Sequence, residues 1–499
     1  MKSQLQHLHH SWRFRSLQEQ FRREQGRLTA AEAAQKFGDI GLIPLCQMQR
    51  AKGKSMTIRL KSSLPGSHLL VVAPPGSKSV AQSVHCLWEW PGAALVVDPD
   101  GILHANTAAW RQRFVGPVYA LPGHHIDLGA YYRFWNETQA QKLHHYLMSP
   151  YPPEDTSRMT RSISLYVAVG HYAYAHRRNP LQLLLDVAAC DLLGVLQGLE
   201  TVPYARLYVR QFTKGLEPHA ALRDDDVLDA FDQFVYQMRR YQEHYGLFAT
   251  EPAEAVLPLT WAQAKSTLYL TYDLLRRQEM GGLVTAVVTG LIRHHFSHGN
   301  YRSLLVIMDE ATASQIPHFA TMLTMAANYG VTIVLIATSW QGLKTVFDYK
   351  QADHLLLHFH HQLWYPPRDG ETAGQMSKLL GEQLAKKTLE KEPAVSPTEI
   401  EGWSAEQVLA ISMQDRPYRF VGQPLAFPEE ARFQPAPLMR PISAPAPRER
   451  LGWLPPIPIR AALLTSPPQP KKLPAPSVTI VESNPKEKQP QSSKRKGWK

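Results

Sequence analysis

The sequence predicts an α/β protein with a doubly wound, mostly parallel sheet that is interrupted by an inserted all-α subdomain. Three observations support this fold class. A strand, a tight turn, a helix and a second strand are indicated over residues 68–98, only helical periodicity is found over residues 136–262, and four more apolar runs of strand length follow. The chain of 499 residues is long enough for two or three folded units with tails.

Composition and periodicity divide the chain into five segments. We expect a basic helical segment over residues 1–60, the first part of the α/β domain over 61–135, the all-α insertion over 136–262, the second part of the α/β domain over 263–428, and a tail over 429–499. The tail is rich in proline and lysine, so it cannot bury enough apolar area to offset its chain entropy. We therefore predict that the tail is disordered.

The first predicted element is a short helix near the N-terminus. Thr29 and Glu32 have the spacing of a capping box, in which each side chain bonds to the backbone amide of the other residue. This spacing predicts a helix that begins at Ala30, includes Phe37 and ends near Gly38.

The next elements form a βαβ unit. The apolar run over residues 68–73 enters a turn rich in proline and glycine, a helical stretch follows, and a second apolar run covers residues 93–98. A unit of this kind implies parallel strands joined by a right-handed crossover.

The middle of the chain is predicted to be helical. Within residues 226–245, apolar side chains recur at steps of three and four and therefore share one helix face. The strand pattern then returns in four runs, at residues 266–271, 303–308, 331–337 and 354–359.

The net charge of +11 suits a polyanionic partner, either nucleic acid or an anionic membrane surface. The three cysteines, Cys46, Cys86 and Cys190, are too few and too scattered to stabilise a chain of this length, so reduced thiols in a cytoplasmic protein are expected. There is no apolar run of 18 residues and no signal peptide. We expect a protein without a membrane span, at most peripheral at the inner face of the cell membrane.

The turn after the first α/β strand has features of a phosphate-binding loop. Lys78 and Ser79 stand where the motif G-x-x-x-x-G-K-[ST] places a lysine for the outer phosphates and a hydroxyl for Mg²⁺. The backbone of Gly76 and Ser77 would form the phosphate cradle.

This turn also departs from the motif. Val72 and Ser77 occupy the two glycine positions, and Pro74 and Pro75 remove two potential amide donors. A plain strand-to-helix turn therefore remains an alternative at this position.

A second candidate feature is the pair Asp309 and Glu310, which ends the apolar run over residues 304–308. In P-loop ATPases an aspartate at this position holds Mg²⁺, and the adjacent glutamate polarises the attacking water. Solvated turn acids are the alternative interpretation.

These residues belong to an ordered set of motifs that resembles the type IV secretion coupling protein family, the TraG/TraD class. The resemblance spans residues 27–428, although the helical insertion matches only in position. Its further motifs are Trp90-Pro91-Gly92, Asp98-Pro99-Asp100-Gly101, Tyr329-Gly330, Thr338-Ser339-Trp340-Gln341, Asp369-Gly370-Glu371-Thr372-Ala373 and Leu380-Gly381.

The resemblance implies a RecA-like P-loop ATPase domain that works as a hexameric ring. Such proteins use ATP and Mg²⁺ to recruit DNA with its bound relaxase, or to translocate it, to a type IV secretion channel. Carried over, Lys78 and Ser79 would bind phosphate, Ser79 and Asp309 would hold Mg²⁺, and Glu310 would activate water. Thr338 would stand in the sensor segment.

Three departures from the family pattern surround this one nucleotide site. Besides the altered turn, Thr338 and Ser339 replace the usual Gln-Ser pair, and Asp100 and Ile102 replace a Lys and a Glu. Two alternatives therefore stay open. The chain could be a non-hydrolysing scaffold that docks relaxase or DNA, or an FtsK/HerA-like DNA translocase outside conjugation.

A metal site of a different kind is also conceivable. His354, His358 and His360 would share one face of the strand predicted over residues 354–359. No cysteine or acid completes a recognisable ligand set, so this hypothesis ranks low.

Overall fold

The computed structural model describes most of the chain up to residue 426. The described residues are 15–37, 43–49, 55–60, 67–77, 79–121, 126, 136–147, 156–178, 180–243, 260–272, 277–298, 303–309, 312–313, 316, 318–347, 349–384, 390–413 and 417–426. The predicted tail lies outside them, so its disorder stays a prediction. The same holds for the segment boundaries proposed above.

Nine strands of the described residues form one central sheet. In chain order they are β3 (Leu69–Val72), β4 (Ala93–Val97), β5 (Val118–Leu121), β6 (Thr267–Leu270), β7 (Leu304–Asp309), β8 (Val331–Ala337), β9 (His361–Trp364), β12 (Val408–Met413) and β13 (Pro417–Gly422). Their spatial order is β13-β12-β9-β3-β8-β7-β4-β6-β5. Two hairpins lie outside this sheet, formed by β1 (Ile43–Gln49) with β2 (Ser55–Leu60) and by β10 (Glu382–Leu384) with β11 (Lys391–Pro393).

The helices fall into two groups. Those that connect the strands or follow them are Ala30–Phe37, Ser79–Glu89, Ile102–Phe114, Arg277–His298, Phe319–Asn328, Trp340–Phe347, Tyr349–His358, Gly370–Leu380 and Pro397–Glu401. The second group lies between β5 and β6 and comprises Glu137–Leu147, Thr156–His176, Pro180–Ala188, Leu192–Leu199, Pro203–Phe212, Pro218–Ala221 and Asp225–Glu243. Residues 15–24 are also helical.

In this sheet the strands from β9 to β5 are parallel, β12 pairs antiparallel with β9, and β13 pairs antiparallel with β12. Both of its faces are covered. Leu70 and Val72 of β3 belong to one hydrophobic cluster, whereas Leu69 and Val71 belong to the other. This two-sided burial is the arrangement expected of parallel sheets with helical crossovers. The predicted α/β class with a mostly parallel sheet and inserted helices is confirmed.

The prediction of a wholly helical segment over residues 1–60 is wrong. The helix Ala30–Phe37 is present, and the amide of Thr29 donates to the Glu32 carboxylate at 2.8 Å as predicted. Strands β1 and β2 follow it, however. In β2 the buried Met56 and Ile58 alternate with the half-buried Thr57 and Arg59, which is the two-residue period of a strand.

The strand predicted over residues 354–359 is also wrong, because residues 354–358 form the end of the helix Tyr349–His358. Ala352, Leu355 and Phe359 are buried at steps of three and four, while Leu357 is 78% exposed. A short apolar run fits a buried strand and a helix equally well, and here the helical period prevails. The proposed face of three histidines therefore does not exist, and no metal-binding cluster of His, Cys, Asp and Glu occurs among the described residues.

In the second group of helices, the mostly apolar residues 181–199 are divided between the helices Pro180–Ala188 and Leu192–Leu199. Asp191 caps the second of them by accepting a hydrogen bond from the amide of Gly194. Across the described ranges, no helix combines the length and the hydropathy that a bilayer span requires.

Candidate nucleotide-binding site

The candidate site lies at the carboxyl edge of the three adjacent strands β3, β8 and β7. Val72 pairs with Ala337, and Ile336 pairs with Asp309. The turn after β3, the segment after β8 and the end of β7 are therefore held side by side. Crevices at the carboxyl ends of parallel strands are the usual ligand sites of α/β sheets.

The turn after β3 is compact and leads directly into a helix. Gly76 has a φ of 77°, in the left-handed region that favours glycine, and the amide of Ser77 donates to the carbonyl oxygen of Pro74 at 3.1 Å. The Ser77 hydroxyl bonds to the Ser79 hydroxyl at 3.1 Å, and Ser79 is the first residue of the helix Ser79–Glu89. The amides of a first helical turn lack intrahelical acceptors and can bind phosphate.

The turn itself offers few amide donors. The amide of Ala73 donates to the carbonyl oxygen of Ala337, and that of Ser77 to Pro74. Pro74 and Pro75 have no N–H group. Over residues 73–77, the amide of Gly76 alone has no acceptor among the described residues.

Asp309 ends β7 in a half-buried position. One oxygen of its carboxylate, Oδ1, accepts the amide of Thr312 at 2.8 Å, which orients the side chain. The strand β8 separates β7 from β3, and Thr338 directly follows β8 with its side chain exposed. The structure thus brings Gly76, Ser77, Ser79, Asp309 and Thr338 to one edge of the sheet.

Lys78 and Glu310 lie outside the described residues. Their assigned roles in phosphate binding and in water activation therefore stay predictions. Ser79 and Asp309 supply a hydroxyl and a carboxylate, the hard oxygen ligands that Mg²⁺ prefers.

The segment after β8 is tied to the helix Gly370–Leu380. The amide of Trp340 donates to the Thr372 hydroxyl at 3.0 Å, and the Asp369 carboxylate caps that helix by accepting the Thr372 amide at 2.7 Å. Lys344 forms an ion pair with Glu371 across the same junction. The segment over residues 369–373 thus supports the segment after β8.

Sequence reasoning missed Arg368. Its Nη2 atom lies 3.8 Å from the point that a Cβ atom on Gly76 would occupy, so the guanidinium group borders the turn. The sequence signal is the run Pro366-Pro367-Arg368 that follows β9, whose position beside β3 no local pattern reveals.

Asp98 directly follows β4 and is buried. Its carboxylate accepts the amides of Leu103 at 3.1 Å and His104 at 2.7 Å, at the start of the helix Ile102–Phe114. Burial raises the pKa of Asp98 to about 6, although these hydrogen bonds oppose the shift. The Asp98 carboxylate therefore binds the amides at the start of the helix Ile102–Phe114.

Comparison with known families agrees with this arrangement. Residues 303–411, which run from the start of the Asp309 strand into β12, match the family described as the TraM recognition site of TraD and TraG. This segment of the chain is therefore similar to the TraG/TraD class. No curated protein matches the chain.

Solved structures share the fold of this chain. The plasmid coupling protein TrwB in complex with ADP and Mg²⁺ matches with a TM-score of 0.61 and 15% identity, over 82% of this chain and 94% of TrwB. TrwB in complex with the non-hydrolysable GTP analogue GDPNP matches with a TM-score of 0.60, also at 15% identity, over 82% and 95%. VirB4 of Thermoanaerobacter pseudethanolicus matches with a TM-score of 0.50 and 11% identity, over 78% and 98%. At these identities the likeness establishes the fold.

Proposed function

We propose that this chain is a coupling-protein-like P-loop ATPase of the TraG/TraD class that recruits DNA and its relaxase, or translocates them, to a type IV secretion channel. The convergence of the turn before Ser79, the carboxylate of Asp309 and the sensor residue Thr338 at one sheet edge carries this proposal. It is the arrangement that phosphoryl transfer needs, in which a phosphate cradle faces a metal-binding acid.

Each residue has a distinct role in the proposed site. The first-turn amides of the helix Ser79–Glu89 and the ammonium group of Lys78 bind the phosphates of ATP. The Ser79 hydroxyl and the Asp309 carboxylate hold Mg²⁺, which neutralises charge on the phosphates when bound. Glu310 accepts a proton from the attacking water. Thr338, which follows β8, lies between the turn after β3 and Asp309 at the end of β7.

The proposed partners are DNA, a relaxase-type protein and components of a type IV secretion channel. Matching residues 303–411 to a TraM recognition segment supports contact with DNA-processing proteins. The net charge of +11 supports contact with DNA. A homo-hexameric ring is proposed from the family resemblance.

Nucleotide binding and turnover by the purified chain, with and without single- or double-stranded DNA, test this proposal. We expect saturable ATP binding that Lys78→Ala weakens, and DNA-stimulated hydrolysis that Glu310→Gln abolishes while ATP binding persists. Absence of ATP binding in every condition would contradict the nucleotide site. ATP binding without hydrolysis would leave the fold assignment intact but would contradict the role as an ATP-driven motor.

One observation favours a second candidate, a non-hydrolysing scaffold of the same fold. The turn after β3 has two prolines, and it uses the amide of Ser77 internally, so its phosphate cradle is poor in donors. Conjugative transfer measured with Glu310→Gln separates the two candidates. A motor loses transfer with this variant, whereas a scaffold retains it. The match of residues 303–411 to the TraG/TraD class counts against an FtsK/HerA-like translocase outside conjugation.

A further inference from the structure

The segment after β9 lies beside the turn of the candidate site. β9 pairs in parallel with β3, with Trp364 opposite Val72, and the amide of Tyr365 donates to the carbonyl oxygen of Val72 at 2.9 Å. This register extends residues 365–368 alongside the turn. The side chain of Arg368 ends beside Gly76, with Nη2 3.8 Å from the site of an added Cβ.

The guanidinium group of Arg368 is exposed and has no acceptor among the described residues. Acids of the following helix are engaged elsewhere. Asp369 accepts the amide of Thr372, and Glu371 pairs with Lys344. Arg368 therefore presents its N–H donors to the space beside the turn.

Arg368 has the N–H donors that the turn after β3 lacks. Pro74 and Pro75 contribute no N–H group, and the amide of Ser77 is bonded to Pro74. A guanidinium group has five N–H donors in a planar fork that binds phosphate oxygens in pairs. Pro366 and Pro367 precede it directly and restrict the backbone, which lowers the entropy cost of holding the side chain in place.

We propose that Arg368 binds the phosphate groups of the nucleotide from within the same chain and replaces the amide donors that the two prolines remove. This assignment rests on the proposed nucleotide site. Arg368 adds a cationic residue to that site on the β9 side of the turn. Thr338, after β8, and Asp309, at the end of β7, lie on the opposite side.

Titrations with ATP, ADP and GTP test the assignment in the full chain. We expect Arg368→Ala to weaken binding of ATP and GTP by about tenfold or more, and to an equal degree, because phosphate recognition is independent of the base. Arg368→Lys retains the positive charge without the planar fork. Its affinity for the nucleotide should therefore fall between that of the wild type and that of Arg368→Ala. The matched control is Arg210→Ala, an exposed arginine on the helix Pro203–Phe212, which should bind like the wild type.

The outcomes separate this assignment from the proposed function. If the wild type binds no nucleotide, the nucleotide site itself fails and the assignment with it. If the wild type binds ATP and Arg368→Ala binds it equally well, only the role of Arg368 is overturned. A loss confined to ATP, with GTP unaffected, would mean contact with the base and would overturn phosphate binding. Unchanged thermal unfolding of the variants establishes that a loss of affinity is not a loss of fold.

Discussion

The backbone amide of Trp340 donates to the hydroxyl oxygen of Thr372 at 3.0 Å, and both residues are buried. This hydrogen bond connects the start of the helix after β8 to the helix that Asp369 caps. It links two motifs that are 32 residues apart in the chain. The position of the segment after β8 thus depends on a residue remote from it in sequence.

Thr372→Val should destabilise the protein, because it leaves the buried amide of Trp340 without its acceptor. The expected loss is about 1–3 kcal/mol in the free energy of unfolding. Denaturant titration measures it. The control is Thr345→Val, an exposed helical threonine, which should change stability little. Equal effects of the two substitutions would contradict the role of Thr372.

Arg111→Met should be more damaging, because Arg111 is a buried cation that bonds to three backbone carbonyls. Its Nη1 donates to Leu87 at 2.6 Å and to Trp90 at 2.9 Å, and its Nη2 donates to Gly92 at 2.6 Å. We expect a loss of about 3 kcal/mol or more, since the carbonyls stay buried without a donor.

Arg113→Met, an exposed position on the same helix, is the control for this substitution. Chemical unfolding should show it close to the wild type. A stable Arg111→Met protein with an unchanged unfolding midpoint would show that the Trp-Pro-Gly turn does not depend on this arginine.

The protein should lose stability at acidic pH through buried histidines. Burial lowers the pKa of His68 to about 4 and that of His361 to about 3, below the ordinary value near 6.5. As the pH falls below 6.5, the unfolded chain binds these protons and the folded chain does not. The free energy of unfolding should therefore fall by up to about 1.4 kcal/mol per pH unit for each histidine.

Unfolding free energies between pH 7 and pH 4.5 measure this loss. His361→Asn should remove one histidine's share of the slope, whereas His219→Asn, at an exposed position, should leave the slope unchanged. A wild-type stability that rises towards acidic pH would contradict the prediction.

Asp309→Asn should impair Mg²⁺-dependent ATP hydrolysis by about tenfold or more, because a neutral amide is a poorer ligand for a hard dication than a carboxylate is. The fold should persist, since the amide oxygen can still accept the Thr312 N–H. Steady-state turnover at varied Mg²⁺ concentration measures the effect. Asp353→Asn, exposed on the helix Tyr349–His358, serves as control. If Asp309→Asn hydrolyses ATP as fast as the wild type, Asp309 is not a ligand of Mg²⁺.

Much of the sheet was predictable from local patterns. The apolar runs at β3, β4, β6, β7 and β8 are long or continuous enough to be recognised as buried strands. The short edge strand β5, the strand β9 and the antiparallel pair β12 and β13 are not indicated by such runs. Their pairing depends on remote partners, as when Arg419 of β13 donates its amide to the carbonyl oxygen of Gly26 at 2.9 Å.

The sequence by itself determined the fold class, the family resemblance and most of the candidate site residues, because strand hydrophobicity and terminal acids are local features. It could not decide that residues 354–359 are helical, since the run fits both periods until its partners are known. Nor could it place Arg368 beside Gly76. That juxtaposition arises from the pairing of β9 with β3, which lie almost 300 residues apart, and only tertiary packing sets such a register.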